Sequence, residues 1–290
     1  MSDASAPGSL PDAVLLNGEA VAPAQAGVSV IDRGLHFGDG LFETIACRNG
    51  PQLLQLHRER LLEGCARLCL RFEAWDVLAA EIRALAAQAR TALIKVILTR
   101  GAATARGYGP SGQERASRIV LRYQWPAEDP SWARDGVAVR LARMRLGENR
   151  QLAGIKHLNR LELVLARAEW SDPKIAEALL FSRSGALISG TMSNVFLVHA
   201  NRLLTPRMDR CGVAGVMRRA LMEVAVGAGT ALEERTLGPD ELKAADEVFL
   251  TNARIGIWPV RAIGARAYAP GPLTRRLRSL LATRLERGDA

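Results

Sequence analysis

In the first half of the chain, apolar positions come in short runs broken by turn pairs, then at three- and four-residue steps. Residues 14–16 and 19–21 flank Asn17-Gly18, a pair that supplies the two positive-φ positions of a type I′ turn, so a hairpin is predicted there. Residues 28–31 read as a further short strand, followed by a loop over 32–40 with glycines at 34, 38 and 40. Residues 41–47 read as a strand that turns at Asn49-Gly50 into 52–54. Over 56–70 the spacing is helical, with Leu61, Cys65 and Leu68 on one stripe and Leu62 and Cys69 beside it. A second helix is expected over roughly 75–90, then strands at 92–98 and 118–123. Between those strands runs a loop, 101–115, carrying Arg106-Gly107-Tyr108-Gly109, and its length points to function more than to a tight connection.

Residues 124–135 hold Pro126 and Pro130 and keep no periodicity, which marks them as an interdomain linker. A strand at 137–141 follows, and then a helical pattern in which Leu158, Leu161, Leu165 and Ala168 share a stripe, with Glu162 and Glu169 off it. Residues 178–181, 186–188, 194–198 and 202–205 read as consecutive strands. A helix opening at Val216 has Val216, Met217, Ala220, Leu221 and Val224 on its apolar face; strands at 247–251 and 259–263 and a helix over 273–286 complete the chain. This mixture, hairpin-rich first and helix-alternating later, predicts an α+β or α/β fold in two domains. The expected division is a disordered N-terminus at 1–12, an N-terminal α/β domain at 13–123, the linker at 124–135, and a C-terminal domain at 136–290.

Composition narrows the classes. With 48% hydrophobic and 24% charged residues in 290, the chain is an ordinary globular protein, and disordered and fibrous classes are excluded. Lys plus Arg number 39 against 30 Asp plus Glu, a net charge of +9 that attracts anions of many kinds. The excess alone admits a basic nucleic-acid-binding protein as a rival reading. The arginines are spread along the whole chain, however, with no basic run interleaved with aromatics, so no nucleic-acid partner is expected and a small anionic substrate is. Cys47, Cys65, Cys69 and Cys211 form no CxxC pair and no metal-ligand spacing with the four histidines, so no metal is expected; Cys65 and Cys69 read as neighbours on one helical face. No apolar run reaches membrane-spanning length and the first twelve residues lack the pattern of a signal peptide, so a cytoplasmic setting without membrane contact is the expectation.

Two stretches carry candidate chemistry. Lys156 follows Ala153, Gly154 and Ile155 at the mouth of the predicted helix, where the free N–H groups disfavour a cation. Partial burial there would lower its pKa further and leave a neutral amine able to attack a carbonyl, against the commoner reading of a solvated lysine. Gly212 and Gly215 precede the helix at Val216, so bare N–H groups can close around an anion.

Together these segments resemble the fold type IV pyridoxal-phosphate enzymes, which include branched-chain and D-amino acid aminotransferases and 4-amino-4-deoxychorismate lyase. Arg145-Leu146-Gly147, the run from Leu152 to Glu162, Thr205-Pro206-Arg207, Gly212-Val213, Gly215-Val216-Met217-Arg218 and Phe37-Gly38-Asp39-Gly40 are similar to the lyase branch in particular. The resemblance implies pyridoxal 5'-phosphate between the domains, a homodimer, and conversion of aminodeoxychorismate to 4-aminobenzoate and pyruvate for folate synthesis. It implies that Lys156 holds the cofactor covalently and then removes and returns a proton, and that Arg60, Val216 and Met217 contact the phosphate with Asn252 and Ala253 nearby. Arg106 resembles the arginine that receives a substrate carboxylate. Phe42 and Tyr108 stand where the D-aminotransferases carry a tyrosine and a histidine. Ser189 stands where the family commonly has the glutamate that keeps the pyridine nitrogen protonated. A serine offering only a hydrogen bond makes the cofactor a weaker electron sink, which disfavours transamination more than an elimination that ends in an aromatic ring. An aminotransferase on the same fold, and a cofactor-binding relative without activity, are the alternatives.

Overall fold

Asn17 and Gly18 turn the chain at φ +54° and +96°, and the strands they join, β1 (Ala13–Leu16) and β2 (Glu19–Val21), pair antiparallel with Leu16 opposite Glu19. The structure is a computed structural model that describes residues 10–127 and 129–287; the first nine residues of the segment expected to be disordered lie outside the described residues. After the hairpin come α1 (Arg33–Phe37), β3 (Gly40–Arg48), α2 (Leu54–Arg67), α3 (Trp75–Ala86), β4 (Thr91–Thr99) and β5 (Ser117–Gln124). The strands make a five-stranded sheet in the order β2-β1-β5-β4-β3. Leu61, Cys65, Leu78 and Ile82 of the two longer helices are buried, as are Ile45, Ile94, Val96 and Leu98 of the strands, which makes this face of the sheet a core.

Three expectations for this region are corrected. Residues 28–31 form no strand, because the Asp32 N–H closes a turn onto the Ser29 carbonyl at 2.9 Å; Val30 is left 77% exposed. Residues 52–54 form none either: Pro51 makes an isolated bridge to Cys47 and α2 begins at Leu54. Cys65 and Cys69 share no helical face, since α2 ends at Arg67 and Cys69, at φ +50°, has left the helix and is exposed.

The remaining elements are α4 (Pro130–Asp135), β6 (Val137–Leu146), α5 (Leu161–Arg167), β7 (Ile175–Ser182), β8 (Leu187–Gly190), β9 (Asn194–His199), β10 (Arg202–Pro206), α6 (Val216–Gly227), β11 (Leu232–Arg235), α7 (Pro239–Ala244), β12 (Glu247–Asn252), β13 (Gly256–Ile263), β14 (Arg266–Ala267) and α8 (Pro272–Arg287). A nine-stranded sheet runs β11-β10-β9-β12-β13-β6-β7-β8, with β14 beside β13. A further pairing of Ser189 with Asn194 joins β8 to β9, so the path β9-β12-β13-β6-β7-β8 returns to its start and those strands form a closed ring. A buried cluster that includes Val139, Leu179, Val195, Leu250 and Trp258 fills its core. Part of the expected linker is helical: the Asp129 side chain accepts from the Ser131 N–H and caps α4, Pro130 is its first residue, and Trp132 packs edge-on against Trp258 at 5.0 Å.

The chain divides into two compact units. One runs to Ala127 and takes in Lys156–Asn159; the other comprises the stretch ending at Ile155 and the chain from Arg160 onward. Residues 156–159, expected with the C-terminal domain, thus pack with the first unit, and the reason is a ladder onto β3. Phe42 N–H donates to the Lys156 carbonyl at 3.0 Å, Leu158 N–H donates to the Gly40 carbonyl at 3.0 Å, and His157 bridges to Leu41.

Candidate active site

The same ladder changes the setting of Lys156. The helix expected from Leu158 starts only at Leu161, and Lys156 lies five residues before it in an extended segment, so the helix-end argument does not hold. The apolar stripe of that pattern is open in the unit: Leu161 is 77% and Leu165 59% exposed, while Ala166 on another side of α5 is buried. What surrounds the lysine in its unit is a ring. The Lys156 Nζ is 4.2 Å from the centroid of Phe42, whose π face favours a cation there. Lys95 of β4 approaches the same ring, with its Nζ 5.9 Å from the centroid. Lys95 was not among the predicted site residues; its signal was a lysine in the middle of the otherwise apolar run 92–98.

On the opposite face of β3, Glu43 is buried between two side chains of α2. The Nδ1 of His57 is 2.6 Å from one Glu43 oxygen, and the Arg60 Nε donates to the other at 2.7 Å, with Nη2 closing the fork. Burial works to raise the Glu43 pKa, but the Arg60 guanidinium and the His57 ring outweigh it and bring the carboxyl down to about 2. Burial pushes His57 below its ordinary value even though Glu43 pulls it up. A neutral ring donating Nδ1–H to an ionised Glu43 agrees with both shifts, and its Nε2 is buried without a hydrogen-bond partner among the described residues. Arg60, expected at a phosphate, is therefore oriented by Glu43.

In the second unit, α6 begins without a side-chain cap, and its first N–H groups, at Val216 and Met217, have no acceptor within the helix. Asn194 fixes the approach. Its Oδ1 accepts from the Gly215 N–H at 3.1 Å and its Nδ2 donates to the Val213 carbonyl at 2.8 Å. A Cβ on Gly215 would fall 2.2 Å from that Oδ1, so only glycine fits. Gly154 holds the other side of the loop, donating to the Gly212 carbonyl at 3.0 Å and accepting from the Ala214 N–H at 2.9 Å. A helix end kept open in this way fits the phosphate of a cofactor.

Asn194 is also where the ring of strands closes onto Ser189. The Ser189 hydroxyl donates to the Gly190 carbonyl at 2.9 Å. Glu177 of β7, 1% exposed, supplies no carboxylate in its place. One of its oxygens accepts from Ala178 N–H and Thr191 N–H, both at 2.9 Å, and from the Thr191 hydroxyl. The other accepts from Met192 N–H and the Ser193 hydroxyl, both at 3.0 Å. Glu177 was not among the predicted site residues either, although a carboxylate in an otherwise apolar strand, Ile175–Ser182, was a visible signal.

Asn252 is absorbed by its own turn: its Oδ1 accepts from Arg254 N–H at 2.9 Å and Ile255 N–H at 3.0 Å, and its Nδ2 donates to the Met192 carbonyl at 3.0 Å. Any contact that Asn252 and Ala253 make with a ligand would come from the backbone. In the first unit, Arg106 and Tyr108 lie on an exposed loop, with the Tyr108 ring against Phe37 at 5.2 Å. The structure thus groups Lys156, Phe42, Lys95 and Arg60 within one unit, and Ser189, Asn194, Val216, Met217 and Asn252 within the other.

Comparison with known proteins finds relatives along most of the chain. Residues 40–263 match the family model described as amino-transferase class IV. The chain is 34% identical over 264 residues to an aminodeoxychorismate lyase of Vibrio harveyi, covering 89% of this chain and 97% of that protein. It is 30% identical over 277 residues to a D-alanine aminotransferase of Bacillus licheniformis, covering 92% and 95%. The crystal structure of 4-amino-4-deoxychorismate lyase from Pseudomonas aeruginosa superimposes with a TM-score of 0.88 at 44% identity, covering 93% of this chain and 98% of that one.

Proposed function

This chain belongs to the class IV aminotransferase family, and from that premise we propose that it is a pyridoxal-phosphate-dependent lyase converting 4-amino-4-deoxychorismate to 4-aminobenzoate and pyruvate. Near full-length similarity to two proteins named for that activity supports the reading. The structural observation that carries the choice of lyase over aminotransferase is the pair Ser189 and Glu177. The serine hydroxyl is turned to Gly190, and the buried carboxylate on β7 is fully engaged by the 191–193 turn. A ring nitrogen facing Ser189 meets a hydroxyl, with no free carboxylate to hold it protonated, and the weaker electron sink suits elimination more than amine exchange.

In this reading Lys156 carries the cofactor, and the N–H groups of Val216 and Met217, with Arg60, hold its phosphate. Pyridoxal phosphate supplies a sink for the electron pair left when the proton on the amino-bearing carbon departs. The Lys156 amine takes that proton and returns it to the methylene of the leaving three-carbon fragment, while the Phe42 ring beside Nζ fixes its position. Arg106 and Lys95 orient the substrate carboxylates. The test is the absorbance spectrum of the purified protein before and after adding aminodeoxychorismate: a visible cofactor band that responds to the substrate supports the assignment, and a colourless protein contradicts it.

Similarity to the D-alanine aminotransferase favours a second reading, amine exchange on the same fold. A coupled assay with alanine or leucine and 2-oxoglutarate separates the two. We also propose a homodimer working in folate synthesis in the cytoplasm. Exposed apolar residues on each unit, Val30 and Leu35 on one and Leu161, Val164 and Leu165 on the other, support a covered face. Four free cysteines suit a reducing compartment, and among the described residues no helix is long and apolar enough to cross a membrane. Light scattering at the 31.4 kDa of one chain would contradict the dimer.

A further inference from the structure

Arg33 is charged, yet it is 4% exposed, and its guanidinium is divided between one carboxylate and two backbone carbonyls. Its Nε donates to Asp39 Oδ2 at 2.9 Å, its Nη1 to the Gly107 carbonyl at 3.2 Å and its Nη2 to the Tyr108 carbonyl at 2.5 Å. The Phe37 ring completes the contact, lying 5.0 Å from the Arg33 guanidinium carbon and 5.2 Å from the Tyr108 ring. Asp39 is itself fixed from behind. Arg100 donates to it at 2.7 and 3.0 Å and anchors to the carbonyls of Leu68 and Cys69, both at 2.8 Å, at the exit of α2. A continuous line of charge-assisted hydrogen bonds therefore runs from the end of α2 through Arg100, Asp39 and Arg33 to the loop that bears Arg106.

That loop has little else to hold it. Residues 104–112 are exposed, and among the described residues no hydrogen bond other than those from Arg33 ties 105–110 to the rest of the unit. Gly107, at φ +113°, takes a path open to glycine, so the peptide that presents its carbonyl to Arg33 is part of the same device. A buried, paired cation aimed at two carbonyls of a surface loop is a costly way to build a loop that has no task.

We propose that Arg33 is a positioning residue: it docks the 106–108 segment and so sets where the Arg106 guanidinium is presented to the substrate. The proposal rests on the reading above that Arg106 receives a substrate carboxylate. Arg33 does not touch the reacting atoms; it acts through the loop. A lysine in its place keeps the charge opposite Asp39 but has no planar fork to reach both carbonyls at once.

The test uses the cofactor-loaded wild type, Arg33→Lys, Arg33→Ala and Arg106→Ala. Two readouts are taken: limited trypsin cleavage after Arg106, located by mass spectrometry, and kcat and KM for aminodeoxychorismate. Arg33→Lys retains the ion pair with Asp39 and keeps the test valid if Arg33→Ala does not fold. Loss of the two carbonyl bonds is expected to speed cleavage at Arg106 and raise KM, each roughly ten-fold, with kcat and the cofactor absorbance close to wild type and Arg33→Lys intermediate. Wild-type cleavage rates and KM in both Arg33 variants overturn the proposal. If Arg106→Ala raises KM while the Arg33 variants do not, positioning by Arg33 falls and the role of Arg106 stands. If Arg106→Ala leaves KM unchanged, the role of Arg106 falls and positioning falls with it.

Discussion

The Nζ of Lys156 stands 4.2 Å from the centre of the Phe42 ring, and the backbones of these two residues are joined by the hydrogen bond from the Phe42 N–H to the Lys156 carbonyl. One pairing therefore fixes both the strand position of the lysine and the aromatic surface beside its amine. Lys156→Ala is expected to lose the visible cofactor band and all turnover. Phe42→Leu, which keeps apolar bulk and removes the π face, is expected to keep the band and lower kcat by roughly ten-fold, the scale of a cation–π contact of about 1–2 kcal/mol. Steady-state kinetics with parallel spectra check both; lyase activity in Lys156→Ala would contradict the role of the lysine.

Asn194 holds the Val213 carbonyl and the Gly215 N–H at the open end of α6. Asn194→Ala leaves both groups without that partner and lets the loop before Val216 relax. Unsatisfied polar groups of this kind cost about 1–3 kcal/mol, so cofactor affinity is expected to drop roughly ten-fold or more. Fluorescence titration of the cofactor-free protein with pyridoxal phosphate measures it, and an unchanged Kd would show that the helix end is fixed by other means.

Glu43 gives the fold a defined acid sensitivity. Its folded-state pKa, about 2, lies below the ordinary 4.5, so the unfolded chain takes up the proton first as pH falls. The stabilisation from this group is complete above pH 4.5 and is lost on going down toward pH 2, amounting to about 3 kcal/mol in all. His57, held below its ordinary 6.5, adds a separate loss that begins as pH falls through that value, because the unfolded ring then takes up a proton that the folded ring refuses. Glu43→Gln is expected to be less stable at neutral pH, since Arg60 loses its carboxylate, and to lack the extra slope between pH 4.5 and 2. Urea midpoints across that range decide it; the same slope in both proteins would remove Glu43 as the cause.

In the proposed reading, Ser189 governs how strongly the cofactor draws electrons. Ser189→Glu would place a carboxylate where the structure has a hydroxyl turned to Gly190. The ratio of amine exchange with alanine to elimination is expected to rise by roughly ten-fold or more as the ring nitrogen becomes better protonated. If neither activity changes, the electron-sink argument for a lyase is wrong.

Much of this was legible in the residues. Asn17-Gly18 fixed a hairpin through backbone conformation alone, and the glycines before Val216 announced an open helix end that the structure contains. The setting of Lys156 was not legible, because it depends on a pairing with β3, more than a hundred residues earlier, that no local spacing reveals. The spacing of Leu158, Leu161 and Leu165 suggested an apolar helical stripe, and the structure leaves Leu161 and Leu165 exposed; apolar periodicity does not say which surface covers it. Strand β11, reading Leu232-Glu233-Glu234-Arg235, is too polar to be recognised and exists because β10 offers a parallel edge. Lys95 and Glu177 were visible as charges inside apolar strands, and their partners only became clear once the strands were folded together.

The most direct measurement is the stoichiometry of products from purified protein and 4-amino-4-deoxychorismate, with no 2-oxo acid added. The account predicts 4-aminobenzoate and pyruvate in equal amounts, with both absent in Lys156→Ala. Failure to form 4-aminobenzoate, together with amine exchange once 2-oxoglutarate is supplied, would contradict it and make the protein an aminotransferase.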